Sequence, residues 1–159
     1  MDQRTGIGLD IHPLVSNRPL LLGGIRIEHT KGLDGTSDGD VLIHSIIDAL
    51  LGASGQGDIG QHFPSSDPKF HGINSNNMLI SVRELLCASG WQIHYVDATI
   101  LAEHPKLNPY VDKMKSKLAS TLQIAANMIN IKAKTTDGLG FIGKEEGIAV
   151  MAIATINRA

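Results

Sequence analysis

The side chains of this chain best suited to metal chemistry are Asp10 and His12, two residues apart, and His44 further along. In an extended strand, side chains two apart share a face, so Asp10 and His12 emerge together. A carboxylate and two imidazoles are the donor set of a catalytic zinc centre, which leaves a fourth position open to substrate. Each residue alone has a plainer reading, since Asp-x-His is common in strands and a lone helical histidine is usually structural. The conjunction carries the metal reading. Asp48 lies one turn beyond His44 on the same helix face, where it either steers the His44 ring or stands as a solvated charge.

Three further groups carry candidate chemistry. In Gly57-Asp58-Ile59-Gly60-Gln61-His62-Phe63-Pro64, glycines around an acid let the backbone approach a small polar ligand, or simply form a tight turn. Lys106, after Pro105 at a strand end, offers a compact charge to a phosphate, or is merely solvated. The stretch from Lys132 to Phe141 gathers Lys132, Lys134, Thr135, Thr136 and Asp137 at another strand end. Such a loop can serve phosphate and a hard cation such as Mg²⁺, or be a polar exit loop with turn glycines.

The elements that must position these groups follow from periodicity. Residues 4–12 read as a strand bearing Asp10 and His12, and Leu20 to Ile27 as a second. The short turn around Ser16 to Pro19 predicts that the two form an antiparallel hairpin. A polar loop from Lys31 to Gly39 feeds a helix whose Val41, Ile43, Ile46, Ile47, Leu50 and Leu51 form an apolar stripe, with Ser37 and Asp40 resembling a capping box. Residues 52–74 read as one long loop, usually a functional feature. A helix from Ser75 to Ser89 stops at Gly90; a strand over 91–102 follows, then a helix capped by Asn108 with Pro109 in its first turn. Ile129 to Lys134 and Gly147 to Ile156 complete the strands. Helices on one face of a mixed sheet make an α+β sandwich, one domain over residues 1–159.

Composition bounds the classes of function. A chain of 159 residues with 42% hydrophobic and 19% charged residues suits one globular core, and a net charge of -2 gives no general reason to expect nucleic acid. The single cysteine, Cys87, allows no internal disulfide and suits a reducing compartment. The first residues lead into no apolar stretch of signal-peptide type, and no run is long enough to span a bilayer. The expectation is a soluble cytoplasmic protein, or one of the plastid stroma in a processed form.

Read in order, the motifs carry a resemblance. They are Arg4-x-Gly6-x-Gly8-x-Asp10-x-His12, Lys31-Gly32-Leu33, Ser37-Asp38-Gly39-Asp40 running to His44, Asp48 to Ala53, Gly57-Asp58-Ile59-Gly60, Phe63-Pro64, Asp67-Pro68, Pro105-Lys106 and Leu139-Gly140-Phe141. Over almost its whole length the chain resembles the 2-C-methyl-D-erythritol 2,4-cyclodiphosphate synthase family of the non-mevalonate isoprenoid pathway. The resemblance implies a homotrimer with active sites at the subunit boundaries. It implies conversion of 4-diphosphocytidyl-2-C-methyl-D-erythritol 2-phosphate to the cyclic diphosphate and CMP. It implies zinc on Asp10, His12 and His44, one ion per subunit, and Mg²⁺ or Mn²⁺ bridging the substrate diphosphate. Asp58, Ile59, Gly60, Phe63 and Asp67 would meet the methylerythritol part, with Asp10, His12 and Ser37 beside it. The cytidine and its phosphates would lie against Ala102 to Asn108, including Lys106 and Leu107, and against Lys134, Thr135, Thr136 and Asp137 of the neighbouring subunit. Thr135 matches a family hydroxyl that stabilises the transition state.

The chain also departs from that pattern. Thr36 stands where most members carry a phosphate-contacting histidine, which makes Thr36 a second catalytic candidate with one donor and no charge. Ser65 stands for an acid in the mobile loop, and Asp137 for a longer glutamate at the second metal. Lys144 replaces an arginine and Met151 a glutamate that, with the Phe141 position, line the central cavity of the trimer; the change argues against prenyl-diphosphate binding there. The attacking group would be the substrate's own ionised phosphate, so positioning and charge neutralisation suffice, and no nucleophile–histidine pair is needed. Two other readings remain at this point: a non-catalytic trimeric binding protein, and a zinc phosphohydrolase using water.

Overall fold

The computed structural model describes residues 2–158. In chain order the elements are β1 (Gln3–Ser16), β2 (Leu20–Leu22), β3 (Ile25–Ile27), β4 (Lys31–Leu33), α1 (Val41–Ser54), the single turn α2 (Ile59–His62), α3 (Ser75–Ala88), β5 (Trp91–Leu101), α4 (Val111–Leu122), β6 (Ile129–Lys134), the short α5 (Gly140–Gly143) and β7 (Gly147–Arg158). Five strands make one mixed sheet in the order β4-β1-β7-β5-β6, in which only β5 and β6 run parallel. The helices cover one face of that sheet, as expected.

Residues 20–27 do not pair with β1. They fold on themselves as a separate hairpin, β2 against β3, because Gly23 and Gly24 adopt φ of 62° and 76° and close a tight turn. The antiparallel partners of β1 are β7 along most of its length and β4 at its end, where Leu14 faces Leu33. The loop from Lys31 thus begins with a short strand. Asp40, not Ser37, caps α1, its buried carboxylate accepting the N–H of Ile43 at 3.1 Å and those of Gly23 and Gly24 at 3.0 and 2.8 Å. Asn108 makes no capping bond; it opens a 3-10 turn ahead of α4, since Leu107 before it already has helical angles. Residues 52–74 contain the last turn of α1, then α2, then a 3-10 turn at Pro68–Phe70 capped by Asp67.

α1 is the central element. All its residues except Asp48 and Gly52 are buried, so it is packed nearly all round instead of along one stripe. Its backbone lies directly on β1, because positions 6 and 8 are glycine. A Cβ on Gly8 would stand 1.9 Å from the Ser45 carbonyl oxygen, and one on Gly6 would stand 2.1 Å from that of Ala49. Ser45 locks the contact by donating to the Val150 carbonyl at 2.8 Å. This close approach brings the first turn of α1, and His44 with it, over the helix-facing side of β1. The opposite face of the sheet leaves Ile7, Leu9 and Ile11 of β1 and Met151 and Ile153 of β7 between 42% and 62% exposed. Ile7 pairs with Ile153 and Leu9 with Met151, so the exposed residues form one contiguous apolar patch. No helix is long and apolar enough to cross a membrane among the described residues.

Candidate active site

The strand alternation that buries Gly6 and Gly8 under α1 turns Asp10 and His12 to the same side. There Asp10 Oδ2 lies 2.8 Å from His12 Nε2 and 3.1 Å from His44 Nδ1, and the two imidazole nitrogens are 3.2 Å apart. Tetrahedral zinc with bonds of 2.0–2.1 Å separates its donors by about 3.3 Å, so the three atoms fit one ion with little adjustment. Among the described residues this is the only grouping of three such donors.

The electrostatics agree with the geometry. Burial would push the Asp10 carboxyl up, yet hydrogen bonds and charge from His12 and His44 bring it down to about 2. Burial works against a charged His12, but Asp10 and the Asp34 carbonyl raise its pKa above the usual 6.5. The cluster is therefore a carboxylate and imidazoles competing for protons in one spot, which is what a divalent cation replaces. The far nitrogen of each ring is held. His12 Nδ1 donates to the Asp34 carbonyl at 2.6 Å, which leaves Nε2 free to bind. Arg18 steadies that same loop, donating to Asp34 Oδ1 at 3.0 Å and to the Ser37 carbonyl at 3.0 Å.

The ligand cluster opens into a cavity of about 210 Å³ that also takes in Thr36, Ser37, Ile59, Gly60, Phe63, Ser65, Phe70, Ile73 and Met78. The structure thus places Thr36, Ser37, Ile59, Gly60 and Phe63 around one cavity with the metal candidates. Asp58 and Asp67 are not among its lining residues; their carboxylates cap α2 and the 3-10 turn by accepting from Gln61 N at 3.0 Å and Lys69 N at 3.1 Å. Asp48 takes neither role foreseen for it. Its Oδ1 accepts the Ile59 N–H at 2.7 Å and so ties α2 to α1.

A second cavity, of about 140 Å³, is lined by Ala102, Glu103, Lys106, Leu107, Asn108, Lys134 and Thr135, the other expected group. Thr136 and Asp137 follow in the chain but are not among its lining residues. Thr135 Oγ1 is 3.4 Å from Asp137 Oδ1, and Thr136 donates to the Leu139 carbonyl at 2.7 Å. Phe141 and Lys144 lie outside both cavities and are exposed. The two cavities are separate within one chain. β6 lies three strands from β1, roughly 14 Å at ordinary strand spacing. Lys132 and Lys134 alternate to the outer face, opposite Asp10 and His12.

A sequence model described as the YgbB family matches residues 3–157. The chain belongs to that family. Among curated YgbB relatives, a 2-C-methyl-D-erythritol 2,4-cyclodiphosphate synthase of Agathobacter rectalis is 52% identical over 153 residues, covering 96% of this chain and 86% of the relative. Among solved structures, the bifunctional IspDF from Campylobacter jejuni superposes with a TM-score of 0.96 at 42% identity; 99% of this chain corresponds to 43% of that longer one. The IspF of Plasmodium falciparum, solved as a CDP complex, superposes with a TM-score of 0.87 at 32% identity, over 98% of this chain and 96% of the other.

Within this YgbB chain, several site residues escaped the sequence reading. Ser75 is fully buried against His44, and Asp38 lies behind it. A serine opening a helix reads as an ordinary start residue, so nothing local marks it. Glu103 lies within the expected segment from Ala102 to Asn108, but its role is not one the sequence suggests: it holds the Thr135–Gly138 loop, accepting from Thr136 N at 3.2 Å and Gly138 N at 3.1 Å. Phe70, Ile73 and Met78 close the cavity as apolar walls, indistinguishable in sequence from core.

Proposed function

We propose that this protein is a zinc-dependent phosphorus–oxygen lyase of the non-mevalonate isoprenoid pathway. It converts 4-diphosphocytidyl-2-C-methyl-D-erythritol 2-phosphate to 2-C-methyl-D-erythritol 2,4-cyclodiphosphate and CMP. The observation that carries the reading is the Asp10, His12 and His44 donor cluster at the floor of a cavity walled by Ile59, Gly60 and Phe63. When bound, zinc supplies Lewis acidity to the phosphoryl group under attack.

The chain's own residues position the rest. Ile59, Gly60 and Phe63 hold the methylerythritol carbon skeleton, with Asp58 and Asp67 at its hydroxyls. Ser37, at the head of α1, donates to the 2-phosphate, and Thr36 adds a hydroxyl beside it. An oxygen of the 2-phosphate attacks the distal phosphorus of the diphosphate; a new P–O bond forms there as the bond to the CMP oxygen breaks. No side chain has to remove a proton, because the attacking phosphate is already ionised. Thr135 Oγ donates to the oxygens that gain charge, and Lys106 and Lys134 face the CMP phosphate. Asp137 would help hold Mg²⁺ or Mn²⁺ carried on the diphosphate, a cation that would neutralise charge on the phosphates.

We read the working unit as a homotrimer. The metal cluster on β1 and the strand-end residues of β6 lie three strands apart within one chain, so one compact site needs the two halves from different copies. The apolar patch of Ile7, Leu9, Ile11, Met151 and Ile153 supports a face buried between copies. The protein is taken as cytoplasmic, its one cysteine exposed and unbridged.

The test is to supply the substrate with zinc and Mg²⁺ and follow both products, CMP by chromatography and the phosphates by ³¹P NMR. The reading requires CMP and cyclic diphosphate in equal amounts. Linear phosphates would make the protein a hydrolase, and substrate binding with no product would make it a binding protein.

A further inference from the structure

His44 binds a metal through Nδ1 only if its proton sits on Nε2, and the surroundings of Nε2 decide this. That nitrogen faces two hydroxyls, Ser75 Oγ at 2.8 Å and Ser37 Oγ at 3.1 Å. The Ser75 hydroxyl also bonds to Asp38 Oδ1, while Asp38 Oδ2 accepts the Ser75 backbone N–H at 2.9 Å. A carboxylate can only accept, so the Ser75 hydroxyl proton goes to Asp38 and Ser75 Oγ must accept from His44. Ser37 has no carboxylate partner, and its oxygen already takes the Gly39 N–H at 3.3 Å. It imposes no direction. Ser75 is fully buried, so water does not compete for these bonds.

We infer that Ser75, oriented by Asp38, is a positioning residue that holds His44 with Nε2 protonated and Nδ1 turned to the metal. This rests on the zinc reading of the site. It also joins the metal to the substrate-side loop. Gly72 N donates to the Thr36 carbonyl at 2.8 Å and Asp38 N to that of Ile73 at 3.1 Å, so the chain leading into α3 is fastened to the segment that carries Ser37. The segment that carries Ser37 and the hydroxyl that sets the His44 tautomer are therefore tied together by backbone bonds.

The test compares zinc affinity, by competition with a chromophoric chelator, in the parent, Ser75→Ala, Ser75→Thr and Arg83→Ala. Losing the outer partner of a ligating histidine typically weakens the metal tenfold to a hundredfold. Ser75→Ala is expected in that range, with Ser75→Thr recovering most of the loss because it keeps a hydroxyl. Arg83→Ala removes a bond from the same helix to the Thr121 carbonyl, 2.7 Å long, and controls for loosening of α3. It is expected to stay within twofold of the parent. In the zinc-loaded parent the His44 Nε2 proton is expected to be observable by NMR and slow to exchange, and to exchange fast in Ser75→Ala. Unchanged affinity in Ser75→Ala, an equal loss in Arg83→Ala, or a fast-exchanging Nε2 proton in the parent would each overturn the inference. A parent that takes up no zinc would overturn the metal reading along with it.

Discussion

The two halves of the proposed site are built by opposite means. The metal half sits where a strand and a central helix are pressed together by Gly6 and Gly8. Its three donors are within 3.2 Å of one another, and each imidazole is fixed by a bond on its far nitrogen. The nucleotide half is a pair of strand-end loops, with Thr135 and Asp137 exposed and joined to the body mainly through Glu103. Preorganisation is complete in the first half within one chain. In the second, on the proposed reading, it would come from a neighbouring copy and the substrate. The metal half should therefore fail as a unit when touched, whereas the loop half should lose turnover without losing its fold.

The largest expected effect comes from the metal half. His12→Ala removes a ligand and the atom nearest Asp10, so bound zinc should drop below stoichiometric and turnover should fall on the order of a thousandfold. Metal analysis and product formation on the same sample check this; full zinc with full turnover would remove the assignment. Thr135→Ala should cut kcat roughly a hundredfold, the cost of one transition-state donor, while zinc content and melting temperature stay as in the parent. A loss of zinc in that variant would erase the distinction between the halves.

Thr36 tests the boundary between them. It is exposed on the cavity rim and offers one hydroxyl, where the resemblance leads to the expectation of an imidazole. Thr36→His should raise the cyclisation rate several-fold, less than the roughly hundredfold worth of a full charged donor, because threonine already supplies one donor. An unchanged rate in both Thr36→His and Thr36→Val would leave the position without a catalytic role.

The smallest effect belongs to the outer face. Burial nudges the Asp97 carboxyl up, but hydrogen bonds from Lys132 and Asn130 hold it below the usual 3.8. A carboxylate whose pKa is lowered on folding stabilises above its unfolded value and loses that contribution as pH falls through the folded one. Lys132→Met should lower stability by about 0.5 kcal/mol at pH 6, the ordinary worth of a solvent-exposed pair, with the gap closing below pH 3.8. Urea denaturation of both proteins at the two pH values measures it.

Much of this was legible in the residues. The period-two placement of Asp10 and His12 and the apolar run of α1 determine the metal cluster, because each is a local pattern with one geometric outcome. What could not be read depends on partners distant in sequence. Residues 20–27 pass for one strand until the Gly23-Gly24 turn folds them back, and β1 finds its partners at β4 and β7, the latter at the far end of the chain. Asp40 outcompetes Ser37 as the cap because two glycine N–H groups from that hairpin also converge on it. Asp48 serves α2, not His44, and Ser75 reaches His44 from thirty-one residues away, which no spacing rule anticipates.

The central claim is that one site is made from the metal half of one copy and the loop half of another. Mixing equal amounts of His44→Ala and Thr135→Ala chains, each with no more than about a hundredth of the parental activity alone, tests it most directly. Random assembly places an intact metal half against an intact loop half at about a quarter of the boundaries, so about a quarter of the parental activity per site should return. Mixed trimers verified by mass that stay as inactive as either variant, or a parent chain that is monomeric by light scattering, would contradict the account.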